Sequence, residues 1–232
     1  MPSLPGWDGF ALRDHFAERT SIPVTLENDG IAAAYGEWQY GAGRGLQHLV
    51  CVAVGTGIGG GVIVDGRVLR GRRGMASHVG HFQMAADGPQ CSCGAVGCFE
   101  ALASGKALVR NARAGLATNP QSRLAQLAPA EIDGTVILAA AQTGDPFACR
   151  LLDQEADYLG RGFASLAHLY SPDRIVMGGG VSKAFEFMEQ KIWAAANERF
   201  MTAFDEIEIK VAELGEDAAL IGAAAQAIDA ID

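Results

Sequence analysis

Several things are missing or scarce in this sequence, and each shortage removes a class of function. No apolar stretch is long enough to cross a bilayer, and the first residues lack the basic-then-apolar layout of a secretory signal. A cytoplasmic protein with no membrane partner is expected. Positive charge is thin and scattered. Lys and Arg number 18 against 27 Asp and Glu, the net charge is -9, and no basic run stands out beyond Arg70, Arg72 and Arg73. No nucleic-acid footprint is expected in this chain. Internal repeats and low-complexity linkers are absent as well. What remains is 232 residues, 49% apolar and 19% charged with 30 Gly, the balance of an α/β enzyme with a well-filled core in one large domain or two small lobes. Cysteines number five, an odd count, and three fall within Cys91–Cys98. That spacing argues for a metal rather than a disulfide framework.

Residue patterning predicts the elements. Residues 1–9 read as a loop, Phe10–Arg19 as a short helix and the β-branched run Ile22–Leu26 as a strand. Asp29–Tyr40 has helical composition with Asn28 or Asp29 as its cap. Leu49–Val54 reads as a buried strand, Gly55–Gly61 as a glycine loop and Val62–Val64 as a second strand. Asp65-Gly66 is a tight hairpin turn from which Arg67–Leu69 pairs back. Residues 71–99 are irregular. Helices dominate from Glu100 to His168, the last of them Phe147–Leu169, stopped by Pro172. Arg174–Met177 is a strand that runs into Gly178-Gly179-Gly180. A helix over Lys183–Met201, a strand over Ile207–Val211 and a small-residue helix over Ala218–Ile228 close the chain.

Three constellations carry chemistry. In the first, His81, Cys91, Cys93 and Cys98 offer one imidazole and three thiolates, the closed tetrahedral set of a structural Zn²⁺ site, with Gly94 and Gly97 letting the backbone aim the sulfurs at one point. Small buried apolar cysteines are the plain alternative, which suits Cys51 and Cys149, and a redox dithiol is a minor one. In the second, Gly55-Thr56-Gly57-Ile58-Gly59-Gly60-Gly61 follows a strand. A dinucleotide fingerprint needs a helix next, and here a strand follows, so that reading fails on context. A strand–turn–strand can still hold phosphate in a nest of backbone N–H groups, with Thr56 adding a hydroxyl, or it can be an ordinary hairpin. In the third, Glu27-Asn28-Asp29 sits at a helix start. It offers either a cap alone or a carboxylate general base beside an amide that orients a hydroxyl.

Together these pieces resemble the ROK family of sugar kinases and sugar-responsive repressors, and the resemblance covers nearly the whole chain. It rests on Glu27-Asn28-Asp29, the run Gly55–Gly61, Gly80-His81, Cys91-Ser-Cys93-Gly-Ala-Val-Gly-Cys98-Phe-Glu100, Ile175-Val-Met-Gly178-Gly179-Gly180 and Ala219-Leu-Ile-Gly-Ala-Ala. The resemblance implies an α/β, actin-like ATPase (ribonuclease H-like) sugar kinase fold. Residues 1–48 would be a remnant of the N-terminal lobe. Residues 49–215 would form the C-terminal lobe with a zinc loop over 74–100, and residues 216–232 a closing helix packing toward the N-terminal lobe. It also implies ATP, Mg²⁺ and Zn²⁺, a small sugar and a nucleotide as partners, and a homodimer. Asp29 would take the proton of the sugar's 6-hydroxyl. Asn28, His78, His81 and Glu100 would hold the ring, His81 also binding zinc. Gly55, Thr56, Gly57 and Gly59 would face the phosphates, and Gly178, Gly179 and Gly180 the adenosine.

Two departures from the family pattern matter. Where the pattern has Glu three residues before the zinc His, this sequence has His78, and a neutral imidazole cannot accept two hydroxyls as a carboxylate does. Bacterial N-acetylmannosamine kinases resemble this variant, so N-acetylmannosamine is expected slightly ahead of glucose. Family kinases also begin with an Asp-x-Gly-x-Thr phosphate strand. Asp133-Gly134-Thr135 lacks its spacing and Asp65-Gly66-Arg67 lacks its Thr. By the resemblance, Met1 is expected to align to mid-protein with most of the N-terminal lobe missing, and little kinase activity is expected from the chain alone. The alternative from another class is the effector domain of a ROK repressor or a non-catalytic sugar sensor.

Overall fold

The computed structural model describes residues 6–7, 9–20, 22–204 and 206–230. Most of the loop expected at residues 1–9 lies outside them. In chain order the helices are α1 (Leu12–Thr20), α2 (Asp29–Tyr40), α3 (Phe99–Ala103), α4 (Gly105–Gly115), α5 (Gly134–Gln142), α6 (Pro146–Tyr170), α7 (Phe185–Asn197) and α8 (Ala218–Asp229). The strands are β1 (Leu49–Val54), β2 (Ile58–Val64), β3 (Arg67–Val68), β4 (Arg174–Gly178) and β5 (Glu208–Val211). They form one sheet in the order β3-β2-β1-β4-β5. β1 pairs antiparallel with β2 and parallel with β4, and β4 pairs parallel with β5. No helix among the described residues is long and apolar enough to cross a membrane.

The period-2 alternation of the central strands decides the layering. Val50, Val52 and Val54 of β1, with Ile175 and Met177 of β4, face the larger core, shared with Phe99, Leu159, Phe163 and Ile192. Leu49 and Cys51 of β1, with Val176 of β4, face the smaller core under α2, which includes Ala34 and Ile63. The sheet is therefore covered on both faces, and α8 packs against the outside of α2, its Gly222 set against the Ala32 carbonyl. Strands this buried must be apolar on both faces, which is why Leu49–Val54 is an unbroken apolar run.

Two elements differ from expectation. Ile22–Leu26 forms no strand and pairs with none among the described residues, and Ile22 and Leu26 are exposed. β-branched composition favours a strand only where a ladder partner completes its hydrogen bonds. The glycine loop is also shorter than expected. Only Gly55–Gly57 turn, while Gly59, Gly60 and Gly61 belong to β2 and pair with Ala53, Val52 and Cys51. α2 lies directly on the strand at Gly61, where a Cβ would come within 2.4 Å of the Ala34 Cβ. A Cβ on Gly30 would come within 2.7 Å of the Gly60 nitrogen. The remaining differences are at element ends. α1 forms, with Phe10 and Phe16 about half exposed, and α7 starts at Phe185 after a 3₁₀ turn over Gly180–Ala184.

Asp145 is the strongest local anchor of the helical layer. It caps α6, accepting the Phe147 and Ala148 N–H groups at 3.0 Å each. Its second oxygen accepts Ser122 Oγ at 2.9 Å and the Arg123 N–H at 2.7 Å. Burial works to raise its pKa, but these four bonds outweigh burial and hold the carboxyl below its ordinary value. A depressed folded pKa contributes stability that is present above the unfolded carboxylate pKa and lost as pH falls through the folded one. Asp145→Ala is expected to cost about 2–3 kcal/mol at neutral pH, from a lost cap and stranded buried donors. In thermal melts at stepped pH, the gap from the unsubstituted chain should shrink below the carboxylate range.

Candidate functional site

The carboxylate, the two histidines and the glycine turn meet in one cleft of ≈ 550 Å³ at the end of β1 and the start of α2. Asn28, Asp29, Thr56, His78, His81 and Glu100 all line it. Asn28 is the N-cap of α2, with Oδ1 accepting the Gly30 N–H at 3.0 Å and the Ile31 N–H at 3.2 Å. Capping and ligand binding are compatible here, because the cap uses only the amide oxygen and leaves the two N–H donors of the side chain for a ligand. Asp29 is the first helical residue, exposed on the cleft wall, with Oδ1 accepting the Gly30 N–H at 2.9 Å.

Glu100 is fixed from two sides. Its Oε2 accepts the Ile58 N–H at 3.0 Å, which ties it to the glycine turn. A Cβ on Gly57 would lie 2.5 Å from that oxygen, so the turn needs glycine there for the carboxylate to approach. Its Oε1 accepts Ser92 Oγ at 2.5 Å and the Cys91 thiol at 3.6 Å. Burial opposes the charge, but the bonds from Ser92 and Ile58 and the His81 ring nearby prevail, and the pKa is lowered. Ser92 was not among the expected site residues, although it sits inside the cysteine motif.

His81, Cys91, Cys93 and Cys98 place one ligand atom each within 4.8 Å of one another. His81 Nδ1 is 3.5 Å from Cys91 Sγ, and Cys93 Sγ is 3.7 Å from Cys98 Sγ. A tetrahedral Zn²⁺ with Zn–S near 2.3 Å and Zn–N near 2.0–2.1 Å has S···S edges of about 3.8 Å and N···S edges of about 3.5 Å. The donor set therefore suits the ion in type and number, and these two separations match its edges. Gly97 supports it with φ 70° and no room for a Cβ against the Ala85 carbonyl. Burial and the crowding of neighbouring thiols push Cys98 up to about 12. The exposed Cys93 thiol moves the other way, held below its ordinary value by the Ala95 N–H first and by its neighbouring thiols, and a cation among the three sulfurs would favour thiolate throughout. Cys51 is buried under α2 and Cys149 is half-buried, as expected of cysteines that only pack.

The cleft opens at Gly55 and Thr56 into a second cavity of ≈ 900 Å³. Lys106, Arg110, Arg113 and Lys183 line that cavity with a single acid, Asp133. The first turn of α4 reaches its rim, where the Gly105 N–H donates to Gly55 O at 2.8 Å. In a chain of net charge -9 this concentration of cations suits an anionic ligand. None of these residues was expected, because they are spread over some eighty positions without a motif. The triplet Gly178-Gly179-Gly180 is divided between sites. Gly180 lines the basic cavity, Gly179 the cleft, and Gly178 a ≈ 60 Å³ space beside Glu37. Gly59 lines the cleft from β2.

The sequence matches the ROK family over residues 1–230. The glucokinase of Thermotoga maritima is 38% identical over 226 residues, which is 96% of this chain and 71% of that protein. A ROK family glucokinase from Streptomyces griseus, solved with glucose and AMPPNP, superposes with a TM-score of 0.84 at 37% identity, covering 94% of this chain and 72% of that one. A ROK family transcriptional regulator, a homolog of the Escherichia coli MLC protein, superposes with a TM-score of 0.85 at 31% identity, covering 94% of this chain and 55% of that one. This chain belongs to the ROK family, with the actin-like ATPase fold of its sugar kinases.

Proposed function

We propose that this chain is an ATP-dependent sugar kinase that phosphorylates the 6-hydroxyl of a hexose or N-acylhexosamine. The observation that carries the reading is one cleft holding a carboxylate, an amide, two imidazoles and a fixed second carboxylate, open to a basic cavity across a glycine turn. Asp29 accepts the proton of the attacking hydroxyl as its oxygen bonds to the terminal phosphorus and the bond to the departing diphosphate breaks. Asn28 donates to a ring hydroxyl. Glu100 accepts from hydroxyls, and its two fixed oxygens keep it from reorganising when the sugar arrives. His81 turns Nδ1 to the sulfurs, which leaves Nε2 for the sugar and links the metal site to substrate aim.

Gly55, Thr56 and Gly57 offer backbone N–H groups and a hydroxyl to phosphate oxygens, with Lys106 and Lys183 on the adjoining wall. Gly180, which lines the basic cavity, would face the nucleoside. Mg²⁺ would supply charge neutralisation on the phosphates, and Zn²⁺ would fold the loop over residues 74–100. His78 supports N-acetylmannosamine over glucose because it forms fewer hydroxyl bonds than Glu. The two kinase relatives named above are both glucokinases and give that order no support.

The test is calorimetric binding of glucose and N-acetylmannosamine, followed by ATP-dependent phosphorylation of a hexose panel. Micromolar-to-millimolar binding of at least one sugar is expected. If neither sugar bound, the assignment of Asn28, His78, His81 and Glu100 would fail. Turnover of a sugar that binds is the expected result, and binding with no turnover of any sugar would count against the kinase reading. The regulator's TM-score of 0.85 favours one second reading, a sugar-sensing effector domain. That reading requires sugar binding with no dependence of any activity on Asp29.

A further inference from the structure

Arg70 stands at the junction of three pieces of the cleft without lining it. It lies two residues after β3, and its carbonyl accepts the Ala76 N–H at 3.0 Å, closing a loop that leads to Ser77 and His78 on the cleft wall. That loop is stiffened where it reaches the wall. Ser77 is buried, takes φ 65° and donates through Oγ to Leu69 O at 3.0 Å. A left-handed serine persists only where its surroundings over-determine it.

The Arg70 side chain reaches the opposite wall. Its Nε donates to Glu27 Oε2 at 2.9 Å, and Glu27 Oε1 accepts the Asn28 N–H at 3.1 Å. The guanidinium thereby holds the residue immediately before Asn28 and Asp29. A terminal nitrogen of the same group donates to Gln226 Oε1 at 3.2 Å, on α8, whose first turn brings Ala218 and Ala219 to the cleft. A second tie between α2 and α8 runs from Tyr35 Oη to Asp229.

We propose that Arg70 is a positioning residue for sugar recognition. It keeps the turn that bears Asn28 and Asp29 in register with the loop that bears His78 and His81. This rests on the sugar-site reading above. Arginine suits the role because its planar fork serves two acceptors on two elements at once, and a lysine ammonium is a single point charge. The ion pair is half open to water, with side chains 49% and 16% exposed for Arg70 and Glu27, so its weight in overall stability is small. Its weight in geometry is larger, because misplacing a binding or reacting group by 1 Å costs on the order of a hundredfold.

The experiment uses the full chain loaded with Zn²⁺ and titrates glucose and N-acetylmannosamine by calorimetry, with thermal melts in parallel. Arg70→Gln should weaken sugar binding by about tenfold or more while the melting midpoint moves only slightly. Arg70→Lys keeps one donor for Glu27 and should recover binding to within about threefold. Exchanging the pair, Glu27→Arg with Arg70→Glu, should recover part of what either single change loses. A merely structural residue would move the midpoint and the affinity together. Unchanged affinity in Arg70→Gln overturns the proposal. If that variant does not fold, an exchanged pair no better than either single variant, together with full affinity in Gln226→Leu, overturns it instead. Sugar binding absent from the unsubstituted chain overturns both the site reading and the role of Arg70. Binding that is present but indifferent to Arg70 removes only the latter.

Discussion

Asp29→Asn is expected to leave sugar affinity within about threefold and to lower phosphoryl transfer by about 10²–10⁴, the range of a general base. The two halves of that result have separate origins. Asn keeps the shape of Asp and an oxygen for the Gly30 N–H, which Asp29 holds at 2.9 Å, so the first turn of α2 should be undisturbed. The cap itself belongs to Asn28, whose bonds to Gly30 and Ile31 do not involve the substituted side chain. An amide oxygen can still accept a hydroxyl hydrogen bond in the ground state. It cannot take the proton as the hydroxyl oxygen bonds to phosphorus, so the loss falls on transfer and not on binding. Single-turnover phosphorylation with protein in excess measures even a slow rate, and calorimetry measures the affinity. Transfer at the unsubstituted rate would remove Asp29 from the base role. Loss of affinity with transfer would mean that the carboxylate binds sugar rather than activating it.

The same residues show how far the sequence could be read. The helix over Asp29–Tyr40, the strand over Leu49–Val54 and the hairpin at Asp65-Gly66 were legible because cap, apolar run and turn signal are local. Asp65 and Gly66 adopt φ 51° and 65°, the backbone that such a turn demands. The strand expected at Ile22–Leu26 fails because strand formation is decided by a partner elsewhere in the chain. The three glycines of β2 were read as loop because glycine is permissive in isolation. Only the packing shows that Gly61 leaves room for α2 and that Gly60 leaves room for the Val79 side chain. In the site, the cleft residues and the cysteine cluster come in short motifs. The basic cavity does not, because Lys106, Arg113 and Lys183 converge only once α4 and the turn at Gly180 pack around the glycine turn. Ser92 was hidden for a different reason. Its partner, Glu100, is eight residues away, and nothing in a Cys-Ser-Cys string says which way the hydroxyl points.

Removal of the metal should abolish sugar binding altogether and loosen residues 74–100. Structural zinc contributes folding free energy on the order of 10 kcal/mol in small sites, far more than any single hydrogen bond in this loop. The consequence for the cleft runs through atoms already in place. Without the ion, the turn at Cys91–Cys98 loses its common centre, and Ser92 and Cys91 no longer bracket Glu100 Oε1. His81 loses the partner that fixes its ring, while its backbone N–H remains bonded to the His78 carbonyl at 3.0 Å and carries any disorder back to His78. One wall of the cleft should therefore soften as a unit, and the wall built by Asn28 and Asp29 should not. Hydrogen exchange before and after chelation distinguishes the two. Protection should fall across 74–100 and persist in α2 and β1, whose bonds are made within the sheet and its cover. Cys98→Ser should reproduce the chelated state. Metal affinity should also rise with pH, since the thiols release protons on binding and Cys98 holds its proton most firmly. Sugar binding that survives complete metal removal would mean that Glu100 is held well enough by the Ile58 N–H alone. The ion would then be a local staple on a loop whose sugar-facing end is organised by β2.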